Sequence, residues 1–225
     1  MTKAEPTVST VPNSLQPQIY FEDVHLIVLS KPAGLLSQGE HKGDPNVVDW
    51  LRAYWGRPYV GLVHRLDRNT SGIMIVAKRT KSAQRLTESL QEGKIYRSYL
   101  GWVSGSLRQP VQWKHRLLKN PQTNLVQVVP HGGKEAVLTA RPVKYHLWNT
   151  LPVTLVEFVL ETGRSHQIRA QASYEGFPLL GDKKYRSPAH TFPRVALHSH
   201  RLEFPHPMSK EIMKFEDPLP KDLLI

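Results

Sequence analysis

The chain has 225 residues, enough for one large domain or two small ones around a buried core, and its 30 Lys and Arg against 19 Asp and Glu give a formal net charge of +11. This excess favours a phosphate-rich partner over a neutral or acidic one. The absence of cysteine excludes disulfides, thiolate metal sites and a Cys nucleophile and fits a cytoplasmic setting, no apolar run approaches the ~18 residues of a membrane span, and Met1–Pro6 lacks the pattern of a targeting segment.

Residues 1–17 are polar, with Pro6, Pro12 and Pro17, and are expected to form a flexible N-terminal tail; residues 18–225 are expected to form a single domain. Ile19–Leu29 is apolar and β-branched and reads as a strand, followed by a turn at Lys31-Pro32-Ala33-Gly34. Asn46 is a candidate cap for a helix reaching Trp55, with Val47, Trp50, Leu51 and Tyr54 on one face. Ile73–Ala77 is apolar throughout, as a strand buried on both faces would be. Thr80–Glu92 reads as a helix stopped by Gly93, and Tyr96–Val103 and Val153–Leu160 read as strands. Ser165–Glu175 reads as a helix with Ser165 as its cap and Gly176 as its stop, and a short strand is expected near Ala196–Phe204. The sum is an α+β fold: a mixed, mostly antiparallel sheet flanked by helices and loops.

One segment carries an unusual charge arrangement. In His64-Arg65-Leu66-Asp67-Arg68-Asn69-Thr70-Ser71-Gly72 a carboxylate lies close to two arginines and precedes a Thr-Ser-Gly turn. A lone Asp there would ordinarily be a salt-bridge or turn residue. The cations favour its ionised form, ready to act as nucleophile or base. From Gly61 to Leu100 the cations are Arg65, Arg68, Lys78, Arg79, Lys81, Arg85, Lys94 and Arg97, against Asp67, Glu88 and Glu92. This is a strongly cationic stretch, where an RNA backbone would be attracted.

The segment resembles the signature of the RluA family of RNA pseudouridine synthases, and further resemblances follow in order. Lys31-Pro32-Ala33-Gly34-Leu35-Leu36 is similar to the family's first motif. Arg97-Ser98-Tyr99-Leu100-Gly101-Trp102-Val103-Ser104-Gly105 is similar to its Lys-x-Tyr-x-Ala-x-Val-x-Gly segment, with Arg for Lys and Gly for Ala. Gly163-Arg164-Ser165-His166-Gln167-Ile168-Arg169, Leu179-Leu180-Gly181-Asp182-x-x-Tyr185 and Leu197-His198-x-x-x-Leu202-x-Phe204-x-His206-Pro207 match later segments. With Lys134-Glu135-Ala136 the resemblance covers roughly residues 20 to 217 and implies a stand-alone catalytic domain.

What the resemblance implies is isomerisation of a specific uridine to pseudouridine in structured rRNA or tRNA. The bond from ribose C1′ to N1 of uracil breaks and one from C1′ to C5 forms, so atoms and oxidation state balance and no cofactor is needed. Asp67 is the implied catalytic carboxylate; attack on C1′, attack on C6 and promotion of a glycal route all stay open. Arg169 would pair with Asp67, and Tyr99 would stack on uracil and could take the C5 proton, through a shifted pKa or a relay. A buried uridine must be flipped out of its stack, with Arg65 filling the space; Arg68, His64, Arg164 and His166 are the further RNA-facing candidates. The 11 histidines show no zinc-site spacing, so no metal is expected. No obligate protein partner is expected and a monomer is implied. Two other classes remain for comparison: a non-catalytic RNA-binding or RNA-chaperone protein on the same fold, and a histidine-based RNA hydrolase.

Overall fold

The computed structural model describes residues 11–41, 43–189 and 191–225, which contain eleven strands and three α-helices. Of the expected tail, residues 1–10 lie outside the described residues; Val11 is buried and a 3-10 turn follows at Asn13–Leu15. The chain divides into two compact units, one running up to Ile95 and completed by Leu202–Asp217, the other made of Tyr96–Arg201 and Pro218–Ile225.

In the first unit the strand expected over Ile19–Leu29 is two strands, β1 (Gln18–Glu22) and β2 (Leu26–Lys31), paired antiparallel. The break has a local cause. The Asp23 carboxylate accepts the amides of His25 and Leu26, each at 2.8 Å, and so reverses the chain. The helix expected at Asn46–Trp55 is present as α1 (Val47–Trp55); Asn46 Oδ1 accepts the Asp49 amide at 2.9 Å, and Gly56 ends the helix at φ 62°. A two-residue strand β3 (Gly61–Leu62) leads into the Asp67 loop and then β4 (Ser71–Ala77).

Every residue of β4 is buried, as its unbroken apolar run implied. It pairs antiparallel with β2 from Leu26↔Ala77 to Lys31↔Gly72, and with β3 at its far end. Ile73 and Ile75 pack with Leu26 and Val28, with Leu86 from α2 (Thr80–Gln91), and with Leu202 and Phe204. Each such side chain contributes about 1.5–3 kcal/mol relative to exposure.

The second unit opens with β5 (Tyr96–Ser104) and continues through β6 (Val111–Lys119), β7 (Val126–Val129), β8 (Lys134–Trp148) and β9 (Leu151–Leu160), in the sheet order β5-β9-β8-β6-β7. The ladders β5–β9, β9–β8, β8–β6 and β6–β7 are all antiparallel, and a bulge interrupts β8 at Pro142, whose missing N–H cannot serve a regular ladder. The helix α3 (Gln167–Tyr174) starts later than expected. Ser165 is not its cap. The cap position is His166, in the left-handed region at φ 50°, and Gln167 Oε1 collects the Arg164 amide at 2.9 Å and the Thr162 hydroxyl at 2.8 Å. The strand β10 (Leu197–Pro205) belongs to this unit up to Arg201 and to the first unit from Leu202. β11 (Ile212–Glu216) pairs with β10 and brings Phe215 into a stack with Phe204 at 6.0 Å.

Candidate functional site

Asp67 sits in the loop joining β3 to β4, partly exposed, with Arg65 and Arg68 exposed on either side and Leu66 buried between them. The loop is fastened from beneath. Ser37 Oγ donates to the Leu66 carbonyl at 2.8 Å and accepts the Leu66 amide at 2.9 Å. Lys31, fully buried, donates from Nζ to the carbonyls of Pro32 (3.0 Å), Leu35 (2.7 Å) and Arg68 (3.3 Å). The same Arg68 carbonyl accepts the Gly34 amide at 2.8 Å, and Arg68 Nε returns to the Gly34 carbonyl at 3.2 Å. The Thr70 amide closes the turn on the Asp67 carbonyl at 3.0 Å. The two motifs Lys31–Leu36 and His64–Gly72 are therefore one object: a buried ammonium and a buried hydroxyl hold the backbone on both sides of Asp67.

His64 does a related job. Its Nε2 accepts the Ile75 amide of β4 at 3.1 Å, so the imidazole satisfies a backbone N–H just beyond the β3–β4 pairs. This bond leaves the ring proton on Nδ1. His64, expected to face RNA, is half-buried and makes this backbone contact.

In the second unit Tyr99 lies on β5 and is buried at 6% exposure. Arg169, on α3, is also buried and makes a two-pronged ion pair with Asp182, Nε to Oδ2 at 2.7 Å and Nη2 to Oδ1 at 2.9 Å. Its guanidinium lies over the Tyr185 ring at 5.1 Å. The Tyr185 hydroxyl meets His166 Nδ1 at 3.0 Å and accepts the Val126 amide at 3.0 Å. Arg169, Asp182, Tyr185 and His166 thus form one cluster. Arg164 is exposed and donates from Nε to the Glu135 carbonyl at 2.8 Å.

Of the expected site residues, the structure groups His64, Arg65, Asp67 and Arg68 on one loop of the first unit; Tyr99, Arg164, His166 and Arg169 lie in the second. Sequence reasoning assigned no role to Ser37, Lys31, Asp182 or Tyr185. Lys31, Asp182 and Tyr185 stood inside matched motifs, which is a signal; Ser37 carried none. Asp182 follows Gly181, which has φ +71° and where a Cβ would fall 2.0 Å from the Arg194 carbonyl, so only glycine fits this turn. Among the described residues no group of three His, Asp or Glu is placed to hold a metal ion, and no helix is long and apolar enough to cross a membrane.

A family model described as RNA pseudouridylate synthase matches residues 25–174. The chain is 34% identical over 240 residues to the ribosomal large subunit pseudouridine synthase D of Neisseria meningitidis serogroup A, an alignment covering 98% of this chain and 63% of that protein. It therefore spans less than two thirds of that relative's length. It is 34% identical over 221 residues to the uncharacterized RNA pseudouridine synthase YjbO of Bacillus subtilis (strain 168), covering 91% of this chain and 73% of that one. Among solved structures, human RNA pseudouridylate synthase domain containing 1 matches with a TM-score of 0.78 at 22% identity, covering 92% of this chain and 85% of that one, which shows a shared fold.

Proposed function

Because the chain belongs to the RNA pseudouridylate synthase family, we propose that it isomerises a uridine to pseudouridine in structured RNA. The names of its relatives favour large-subunit ribosomal RNA as the substrate. The observation that carries the reading is the Asp67 loop: a partly exposed carboxylate between two exposed arginines, with its backbone pinned by the buried Lys31 and Ser37. A carboxylate held this way is pre-positioned for chemistry at a sugar or base carbon.

In this reading Asp67 is the catalytic carboxylate, as nucleophile at C1′ or C6 or as promoter of a glycal. Arg169 stabilises the charge that moves through the site. The Asp182 fork supports this by fixing the plane of the guanidinium. Tyr99 contacts uracil and takes part in removing the C5 proton. Arg65, exposed and planar, stacks in the space left by the flipped nucleotide. Arg68 and Arg164 contact the RNA backbone, while His64 and His166 hold the segments that carry them. The chain acts as a monomer in the cytoplasm, without a cofactor.

Mapping pseudouridine by carbodiimide labelling and reverse transcription tests the proposal. Total RNA from cells lacking the gene is compared with RNA after restoring wild type or Asp67→Asn. The expected result is a stop lost on deletion and regained only with wild type. Equal restoration by Asp67→Asn would remove Asp67 from the chemistry, and RNA that stays bound but unmodified would favour the non-catalytic RNA-binding reading.

A further inference from the structure

Arg97, on β5, is 6% exposed. Its Nε has no hydrogen-bond partner, and no carboxylate among the described residues forms an ion pair with its guanidinium. Burial pushes its pKa down, with the Tyr99 phenol pulling the other way. A desolvated cation without a counter-ion is costly, and a protein that keeps one gains something from it elsewhere.

The surface above Arg97 shows where an anion could reach it. Gly163 is exposed, and a Cβ built on it would lie 2.6 Å from Arg97 Nη1, 3.6 Å from Cζ and 3.8 Å from Nη2. The outer edge of the guanidinium therefore sits directly under a residue with no side chain to cover it. Any other residue at 163 would push a methyl or more onto Nη1. Arg97 and Tyr99 are two residues apart on one strand, so they share a face of β5 and stand about 7 Å apart along it.

We propose that Arg97 is a phosphate receptor, opened to the surface at Gly163, that holds the phosphodiester backbone of the RNA strand carrying the target uridine. The planar guanidinium offers parallel N–H donors matched to two phosphate oxygens. The chain's own groups leave that capacity unspent, and the adjacent phenol places the phosphate beside the base it belongs with. This rests on the proposed synthase reading, in which Tyr99 contacts uracil.

The test uses the full chain and a ten-nucleotide oligouridylate, with binding measured across salt. Each phosphate neutralised on a single strand contributes about 0.7 to the slope of log K against log salt. Arg97→Met is expected to lower the slope by about 0.7 and to weaken binding several-fold at fixed salt. Its urea midpoint is expected to equal or exceed wild type, because it removes an uncompensated buried charge; a structural arginine would lose stability. Gly163→Ala, which keeps the arginine and covers its edge, is expected to weaken binding in the same direction. A wild-type slope in Arg97→Met, or no oligouridylate binding by wild type, would overturn the proposal. The readout is binding, so a chain that binds with the expected slopes and forms no pseudouridine would defeat the synthase reading and leave the phosphate site standing.

Discussion

At the level of single residues, the Asp182–Arg169 pair is where charge, burial and the proposed chemistry meet. Asp182 is fully buried and the Arg169 side chain nearly so. The carboxylate also accepts the Tyr185 amide at 3.3 Å, so its oxygens are spent on a guanidinium and a turn. Taking one partner from such a pair removes the counter-charge of a buried ion, which costs far more than the pair is worth relative to an apolar substitute. Asp182→Asn is therefore expected to destabilise the protein by about 3–5 kcal/mol, read as a fall in the urea midpoint at neutral pH. It is also expected to lower turnover by freeing the plane of Arg169. A midpoint unchanged within error would mean that the guanidinium finds its hydrogen bonds elsewhere and that Asp182 does not fix it.

At the level of elements, the β1–β2 hairpin shows how much its turn depends on ionised carboxylates. Burial pushes the Asp23 carboxyl up, but the amides of Leu26 and His25 and the His206 imidazole more than offset this and hold it below its ordinary range. Burial likewise raises Glu22, and hydrogen bonds from Lys78, Trp55 and Tyr54 outweigh it, again lowering the group. Both folded-state values lie below their unfolded ones, so the unfolded chain binds protons first as pH falls. The stability these groups supply is complete above the ordinary carboxylate range, near pH ~4–4.5, and is lost as pH drops through the folded values. Urea midpoints of wild type are expected to be level from pH 7 to 5 and to fall below about 4, with a shallower fall in Asp23→Asn. A parallel fall in the variant would place the acid sensitivity elsewhere.

The same hairpin explains what the sequence could and could not reveal. Asn46, Gly56 and the run Ile73–Ala77 act through neighbours in the chain, and the elements they signal are present as α1 and β4. The break at Asp23 was equally local but hidden inside an apolar stretch, where one Asp reads as a polar position on a strand. β6, β7 and β8 went unread for a different reason. β8 is exposed over most of its second half and follows no clean alternation, so it is a strand because β6 and β9 pair with it. In the candidate site, the Asp67 segment was legible from its own residues. Its fasteners were not, because Ser37 and Lys31 reach Leu66 and Arg68 across 29 and 37 positions, and no local pattern encodes a contact at that separation.

For the molecule as a whole, a charge of +11 on 225 residues bears on how it would meet the RNA of the proposed reaction. Eight of its 30 Lys and Arg lie between Gly61 and Leu100 against three carboxylates, in the stretch that contains Asp67. Attraction of the RNA backbone and chemistry on one nucleotide are then separable contributions, because releasing counterions depends on the cations and not on the carboxylate. Neutralising about six or more phosphates lowers affinity by roughly a thousandfold or more between about 50 and 200 mM salt. Filter binding of the RNA found by mapping is expected to show that steep loss for wild type. Asp67→Asn is expected to give a parallel line, because a carboxylate that acts on the sugar or base releases no counterion. A shallow slope in wild type would remove the phosphate backbone as the main source of affinity. A slope that changed with Asp67→Asn would mean that the loop organises the basic surface around it, and would tie binding and chemistry to the same residue.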